Sequence, residues 1–309
     1  MNNRTLLSTL SLCAALLAPT MASAEPLVRA SSIPAAPRAA LLSDISHAKQ
    51  AHPASFEKVK AVRLDVITRD KQKRGGLAPI TPLYRALGRD ALLPMLAELM
   101  DEPHATDMPT SATLAMRLGL LQAIGELRDA RAVPVLEAVL DAPTGDARIA
   151  RTAAAALGNI GSDAAVDALL SRTERAGATR LAVLAGLGSC RRAKAAGALA
   201  ALLGGSLDDE TADVVAGALG DLGNAWAWQT SKVAASGERD VVAGLAASAL
   251  VRAFVTRDGR VRARAEKSLM LIGADAALVE LRAARDGADT ATRAAIDALL
   301  VRLEKSQLR

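Results

Sequence analysis

Residues 154–166 read AAALGNIGSDAAV, a small-residue helix end and glycine followed by a polar turn and a second apolar run. Related triplets recur as Ala86-Leu87-Gly88, Ala123-Ile124-Gly125, Ala156-Leu157-Gly158, Gly186-Leu187-Gly188 and Ala218-Leu219-Gly220. Their glycines are 37, 33, 30 and 32 residues apart. A nearly constant period of this length is typical of repeat proteins, in which each repeat is one supersecondary unit.

The positions around each glycine indicate two helices per unit. Eleven residues after the first four glycines the chain has Leu99, Leu136, Leu169 and Leu199. Apolar residues also stand eight residues after each glycine, and a spacing of three marks one face of a helix. We expect the glycine to end the first helix at its C′ position, where a residue without Cβ is favoured. The pattern predicts an all-α, right-handed superhelical solenoid of about six helical hairpins with capping helices.

The composition agrees with this fold class. Hydrophobic residues make up 51% of the 309-residue chain, but aromatic residues make up only 2%. Alanine and leucine are strong helix formers, and small side chains suit closely packed helix layers. An all-α fold is therefore favoured without any reference to the repeat.

Two stretches carry a family resemblance: residues 154–166 quoted above, and residues 122–136, which read QAIGELRDARAVPVL. Both resemble the HEAT-like repeat of the phycobilisome-lyase type. The resemblance covers roughly residues 77–286. It implies the helical-repeat architecture but no particular function, because lyases, adaptors and exported proteins share this repeat.

The repeat pattern divides the chain. Residues 1–24 are expected to be a signal peptide, and residues 25–38, with three prolines, a disordered leader. Residues 39–76 are predicted to form N-terminal capping helices. Residues 77–236 are then the regular repeats, and residues 237–309 degenerate repeats and a cap.

The pattern breaks after Gly220. Ala249-Leu250-Val251 keeps the spacing but lacks the glycine, whereas residues 272–278 match residues 160–166. That match aligns Met270 with Gly158, too soon after Val251 for a full hairpin. We expect either a unit that has lost its second helix or an inserted single helix.

The N-terminus predicts export. Arg4 is followed by an apolar run to Ala18, and Ala22-Ser23-Ala24 forms an A-x-A cleavage site. Cleavage after Ala24 would leave a periplasmic or secreted chain with Cys190 as its single cysteine, so no internal disulfide is expected.

The sequence contains no recognisable catalytic constellation, metal site or cofactor-binding motif. None of the histidines, at positions 47, 52 and 104, has a Cys or carboxylate at metal-ligand spacing. Cys190 falls on a position held by leucine or isoleucine in other repeats, so we expect a buried thiol. These features favour a protein that is not an enzyme.

Two basic clusters stand out against a formal net charge of +5. The first cluster lies in residues 58–74 and comprises Lys58, Lys60, Arg63, Arg69, Lys71, Lys73 and Arg74. The second cluster lies in residues 252–267 and includes Arg257, Arg260, Arg262 and Arg264. Both could be solvated helix faces or could contact an anionic partner. Nucleic acid is disfavoured because few aromatic side chains are present for base stacking.

The two tryptophans have different register positions. Trp228 aligns with the apolar positions of Val133 and Val166, so we expect it in the core. Trp226 aligns with polar or small residues, which predicts an exposed ring. We hypothesise a partner-binding groove around Trp226 flanked by Arg191, Arg192 and Lys194, because exposed tryptophan is a favoured interface anchor.

The leading functional prediction is a non-catalytic, exported protein–protein interaction scaffold. A lyase-type repeat protein that assists prosthetic-group attachment is the enzymatic alternative. A binder of anionic envelope polymers or membrane surfaces through the basic clusters is the third possibility. The sequence shows no apolar segment for a membrane span in the mature chain.

Overall fold

The computed structural model describes residues 26–100, 108–143, 145–230, 233 and 235–306. The predicted signal peptide therefore lies outside the described residues. Within the described part every regular element is helical. The helices are α1 (Ala35–Ala51), α2 (Pro53–Gln72), α3 (Thr81–Arg85), α4 (Leu92–Met100), α5 (Thr110–Leu127), α6 (Val133–Asp141), α7 (Ala147–Ile160), α8 (Asp163–Leu170), α9 (Gly177–Leu187), α10 (Ala193–Gly204), α11 (Asp209–Gly223), α12 (Arg239–Thr256), α13 (Gly259–Ile272), α14 (Ala274–Asp286) and α15 (Thr290–Glu304).

These helices stack in two layers. In the first layer, each helix of the series α3, α5, α7, α9, α11 and α13 packs on the next. In the second layer, α6, α8, α10, α12 and α14 do the same. The hairpins from α3/α4 to α13/α14 number six within the described residues, followed by α15 against α14. The predicted all-α solenoid is confirmed; its right-handed superhelical twist stays a prediction.

A continuous apolar core runs between the layers. It is built mainly from Ala, Leu, Val and Ile, and Tyr84 is among the few large aromatic side chains in it. Each hairpin alone would leave its apolar face in water, so the stacking of neighbours is what buries it. Among the described helices, none is both long enough and apolar enough to cross a bilayer.

The chain joins the core earlier than predicted. Residues 26–34 were expected to be disordered, yet Leu27, Val28 and Ile33 are buried. The Val28 amide donates a hydrogen bond to the Leu99 carbonyl at 3.2 Å, and α1 already begins at Ala35. For the described residues, the prediction of a disordered leader is therefore wrong. The prolines restrict the backbone there, but the apolar side chains between them are part of the hydrophobic core.

Three of the five repeat glycines do not end the first helices as expected. Gly125, Gly158 and Gly220 lie inside α5, α7 and α11, whereas Gly188 caps α9 with right-handed backbone angles and Gly88 follows α3 with a φ of 76°. Apart from Gly88, these glycines allow close approach between neighbouring helices of the first layer. A Cβ added to Gly125 would lie 2.6 Å from the Ala156 Cα, inside any tolerable contact. The small-residue triplets are therefore contact points between repeats.

The C-terminal break has a simple explanation. The Ala249-Leu250-Val251 stretch lies in α12, a second-layer helix packed on α10, so it does not start a new unit. Residues 224–238 connect α11 to α12 in the sequence, and the length of this connector accounts for the irregular spacing. The expectation of a unit without its second helix is wrong, because the unit that begins with α11 keeps both helices. The alternative expectation, an inserted single helix, stays a prediction, because residues 231, 232 and 234 lie outside the described residues.

The alignment of Met270 with Gly158, in contrast, is supported by packing. Gly220 of α11 faces Ser268 of α13, just as Gly125 faces Ala156, and both partners lie two residues before the aligned position. The Ser268 hydroxyl donates to the Ala216 carbonyl at 2.9 Å. Helix α13 is thus the first helix of the sixth hairpin.

Candidate basic pocket

Three consecutive turns of the solenoid share an unusual backbone conformation. Arg128, Gly161 and Arg191 each follow a repeat glycine by three residues, and their φ angles are 53°, 61° and 50°. The left-handed region is costly for residues with a Cβ and natural for glycine. Sequence reasoning missed this set, although the Gly158-to-Gly161 spacing was a signal that the true helix end lies three residues on.

These turns line a pocket of about 490 Å³. The basic pocket, as we call it, is bounded by the turns of three repeats and by the connector before α12. The described lining residues are Arg128, Asn159, Ile160, Gly161, Ser189, Cys190, Arg191, Arg192, Val233, Ala235, Ser236 and Glu238. Its charged members are three arginines and one glutamate, so the lining is net positive.

Arg191 is poorly satisfied for a charged side chain. One terminal nitrogen donates to the Ser189 carbonyl at 2.8 Å, but the buried Nε has no hydrogen-bond acceptor. Burial lowers the pKa of Arg191, and the positive charge of Arg128 lowers it further, while Asp221 opposes the shift. Burial in turn raises the pKa of Asp221. The surroundings therefore disfavour the positive charge of Arg191.

Arg192 has the opposite environment. Its Nε donates to Glu238 at 2.8 Å, and its two terminal nitrogens donate to the Gly161 carbonyl at 3.0 Å and to Asp163 at 2.7 Å. The second Glu238 oxygen accepts from the Ala193 amide at 2.5 Å. Burial lowers the pKa of Arg192, but Glu238 and Asp163 together outweigh it and the net shift is upward. Arg192 thereby ties the connector to two successive repeats.

The predicted partner-binding residues are thus divided. Arg191 and Arg192 meet in the basic pocket, whereas Trp226 and Lys194 are not among its described lining residues. Lys194 forms an exposed ion pair with Asp167 of the preceding hairpin. The structure therefore places Arg192 and Lys194 in internal ion pairs and leaves Arg191 as the arginine of this group without a carboxylate partner in the described chain.

The tryptophans follow their register positions. Trp226 is 62% exposed, and Trp228 is 2% exposed. The Trp228 indole nitrogen donates to the Leu222 carbonyl at 2.9 Å, which satisfies the buried N–H. Both lie at the start of the connector, where the Trp226 amide is held by the Asn224 side chain at 3.0 Å. The Trp226 ring therefore projects from a turn whose geometry does not depend on it.

The first basic cluster is partly structural. Arg63 pairs with the buried Glu98 of α4 at 2.5 Å, Lys73 pairs with the buried Asp70, and Lys60 pairs with Glu57. The remaining members, Lys58, Arg69, Lys71 and Arg74, are exposed. Only this remainder of the cluster is available as a solvated positive surface.

The second basic cluster mostly joins α13 to α11. Arg264 makes two bonds of 3.2 Å to Asp213, and Arg260 donates to the Asp209 carbonyl. Arg257 donates to the Leu207 carbonyl at 3.3 Å, and the Arg262 guanidinium lies 4.8 Å from the centre of the Phe254 ring. The sequence cluster is therefore largely a set of internal contacts.

Cys190 lies in the core, as its register position predicts. It is 4% exposed, and burial raises the pKa of its thiol to about 12. A thiol in this state is a poor nucleophile. Among the described residues no group of His, Cys, Asp and Glu side chains could hold a metal ion, and His104 lies outside those residues.

Residues 110–177 match the family model of HEAT repeats. This segment consists of HEAT repeats. The matched segment comprises the hairpins α5/α6 and α7/α8 and reaches the first residue of α9. These hairpins include Arg128 and Gly161 of the basic pocket. The HEAT architecture that the sequence predicted is therefore confirmed.

Two solved structures resemble the chain at low identity. Human deoxyhypusine hydroxylase in complex with glycerol is 18% identical, with 83% of this chain and 99% of that chain covered at a TM-score of 0.29. The complex of CpcE and CpcF of phycocyanin lyase from Nostoc sp. PCC7120 is 22% identical, with 69% and 94% covered at a TM-score of 0.34. At such TM-scores the likeness indicates neither a shared activity nor a shared partner. No curated protein matches the chain.

Proposed function

We propose that this chain is a non-catalytic, exported scaffold that binds a protein partner through its HEAT repeats. The observation that carries the proposal is the 62% exposed ring of Trp226 on the connector between α11 and α12. Most of this ring lies outside the core, and tryptophan is enriched among the residues that dominate binding energy at interfaces.

The contrast with Trp228 supports this reading. The Trp228 ring fills the core and its N–H is bonded, so its contribution is to stability. The Trp226 ring is not among the buried core residues, and within the described chain this residue forms hydrogen bonds through its backbone amide and carbonyl. Covering an aromatic ring of this size would contribute about 2 kcal/mol to binding, at the usual value per unit of apolar area.

Export is the second part of the proposal. Cleavage after Ala24 would leave the packed segment that begins at Leu27 intact, and the buried Leu27 and Val28 would remain attached to α4. Mass spectrometry of the chain from an envelope fraction should find Glu25 as the first residue. An uncleaved chain retained in the cytoplasm would contradict export but would leave the binding proposal intact.

The binding experiment compares Trp226→Ala with Leu64→Ala. Leu64 is 72% exposed on α2, far along the chain from the connector, and serves as a matched loss of exposed apolar surface. The native chain is crosslinked in an envelope extract, and the captured protein is purified for affinity measurement. We expect Trp226→Ala to weaken binding about tenfold or more with an unchanged melting temperature. Equal affinity of the native and Trp226→Ala chains would contradict the proposal.

A role in prosthetic-group attachment receives no support from Cys190. An attachment intermediate would need an accessible nucleophile, whereas this thiol is buried with a raised pKa. We therefore retain binding without catalysis as the proposed function. If the purified protein catalysed the transfer of a prosthetic group with steady-state turnover, that result would contradict the proposed function.

A further inference from the structure

The basic pocket contains more positive charge than its own residues neutralise. Glu238 is the one acidic residue among the described residues that line the pocket. Its two carboxylate oxygens already accept hydrogen bonds, one from Arg192 and the other from the Ala193 amide. No ion pair joins Arg128 or Arg191 to a carboxylate within the described chain. Asp221 lies close enough to favour the charged form of Arg191 but does not pair with it. The guanidinium groups of Arg128 and Arg191 therefore have no ion-pair partner within the described chain, although Asp221 partly offsets the charge of Arg191.

The hydrogen bonds of Arg191 are also incomplete. The Ser189 carbonyl accepts from one terminal nitrogen, and the Nε is buried without an acceptor. Buried N–H groups are nearly always paired, and an unpaired one in a charged group is especially costly. The second terminal nitrogen of Arg191 makes no hydrogen bond within the described chain, so it can donate to an acceptor that enters the pocket.

The backbone gives a third, independent observation. Arg128 and Arg191 hold left-handed conformations that glycine adopts without strain, and the equivalent residue of the repeat between them is Gly161. No side chain from that middle position stands between the two arginines. The chain thus places two arginines in a conformation that glycine adopts at the equivalent position, and both side chains line the pocket.

We propose that the basic pocket binds a doubly charged oxyanion, either a phosphate group or a small dicarboxylate, between Arg128 and Arg191. The planar guanidinium fork matches the oxygens of both anions and can donate two parallel hydrogen bonds. Asn159, Ser189 and Ser236 line the same pocket and offer neutral donors. The pocket volume of about 490 Å³ admits a small metabolite or an anionic group at the end of a larger ligand.

This site is separate from the surface of Trp226, and it does not depend on the proposed scaffold function. Anion binding without a protein partner, or a protein partner without anion binding, would each be a distinct result. The proposal concerns the residues of the pocket alone.

The test is calorimetric titration of the full chain with sodium phosphate and, separately, sodium succinate. Ionic strength is held constant with sodium chloride so that general screening is the same in every titration. We expect saturable binding of at least one of the two anions. Binding of phosphate alone assigns a phosphate ligand, and binding of succinate alone assigns a dicarboxylate.

The decisive variant is Arg128→Gly combined with Arg191→Gly. Glycine is native at the equivalent Gly161, so the turns should form, and we expect the affinity to fall about tenfold or more. Arg69→Ala combined with Arg74→Ala removes the same charge from the exposed part of the first basic cluster and should bind as the native chain does. Arg128→Gln with Arg191→Gln keeps the side-chain size and provides a second readout if the glycine variant is unstable.

Three results would overturn the proposal. The first is the absence of saturable heat with both anions at millimolar concentration. The second is unchanged affinity in the Arg128→Gln, Arg191→Gln chain. The third is an equal loss of affinity in the Arg69→Ala, Arg74→Ala chain, which would assign the binding to net charge.

Discussion

Gly158 of α7 lies against Gly186 of α9 so closely that a Cβ on Gly158 would stand 2.2 Å from the Gly186 carbonyl oxygen. Gly186 is in turn close to Ala154 of α7. A Cβ added to Gly186 would lie 2.6 Å from the Ala154 carbonyl oxygen. The two helices therefore touch through their backbones. This contact explains why small residues recur at the repeat period.

Replacing Gly158 by Ala should destabilise the protein by about 1–3 kcal/mol or more, because the added methyl group forces the two helices apart. The control is Gly197→Ala in α10, where an added Cβ meets nothing within 4 Å. That change should stabilise the chain by about 0.5–1 kcal/mol through helix propensity. Urea unfolding of both variants provides the free energies, and equal stability of Gly158→Ala and the native chain would contradict the packing role.

The left-handed turns predict opposite effects on stability for two substitutions. Arg128→Gly should raise the free energy of unfolding by up to about 1 kcal/mol, because glycine removes the steric cost of the positive φ angle. Gly161→Ala should lower it by at least about 1 kcal/mol, since it introduces that cost and places a Cβ 3.0 Å from the Cys190 carbonyl. Thermal unfolding measures both changes. A destabilised Arg128→Gly chain would mean that the arginine has a structural role.

Asp70 predicts a pH-dependent contribution to stability. Its carboxylate accepts from Lys73 and from the Ser111 hydroxyl at 2.8 Å, and the bond from Lys73 lowers its pKa below the ordinary value of 3.8. A lowered pKa means that the contribution is present above the unfolded-state value and is lost as the pH falls through the folded-state value. Asp70→Asn should therefore cost about 1–3 kcal/mol at neutral pH.

The stability difference between Asp70→Asn and the native chain should shrink below about pH 4. Urea unfolding at several pH values measures it, with the exposed Asp65→Asn as a control that should leave stability unchanged throughout. A difference that is constant from pH 7 to pH 3 would show that the charge of Asp70 is unimportant.

Cys190 should be unreactive in the folded protein. With a thiol pKa of about 12, only about one molecule in ten thousand carries a thiolate at pH 8, and the side chain is also shielded. In a chain that begins at Glu25, Cys190 is the sole cysteine, so a disulfide reagent reports on it alone. We expect no labelling over an hour in buffer and full labelling in guanidinium. Rapid labelling of the native chain would disprove the core assignment.

Ile33 should contribute to the stability of the fold although it precedes α1. Its side chain is 1% exposed, so Ile33→Ala should cost about 2–4 kcal/mol. Leu42→Ala in α1 is the matched control, because Leu42 is 44% exposed and its loss should cost well under 1 kcal/mol. Thermal unfolding of the two variants compares them. Equal melting temperatures would indicate that residues 26–34 do not contribute to the core in solution.

Much of the fold followed from local pattern. The period of the small-residue triplets predicted stacked helical hairpins, and the register predicted that Cys190 and Trp228 are buried and that Trp226 is exposed. Such inferences succeed because each HEAT repeat packs mainly on its neighbours, so a residue's surroundings are set by its position within the repeat.

The sequence by itself determined the repeat, the helices and the side of each helix that faces the core. Only the tertiary structure decided that four of the five repeat glycines are interhelical contacts and that α12 completes the fifth hairpin. It also decided that Arg128 and Arg191 share a pocket while Arg192 is bonded to Glu238. The reason is physical. The periodicity of a helix can be recognised in a stretch of about ten residues. The approach of two backbones and the neutralisation of a charge depend instead on residues from different repeats.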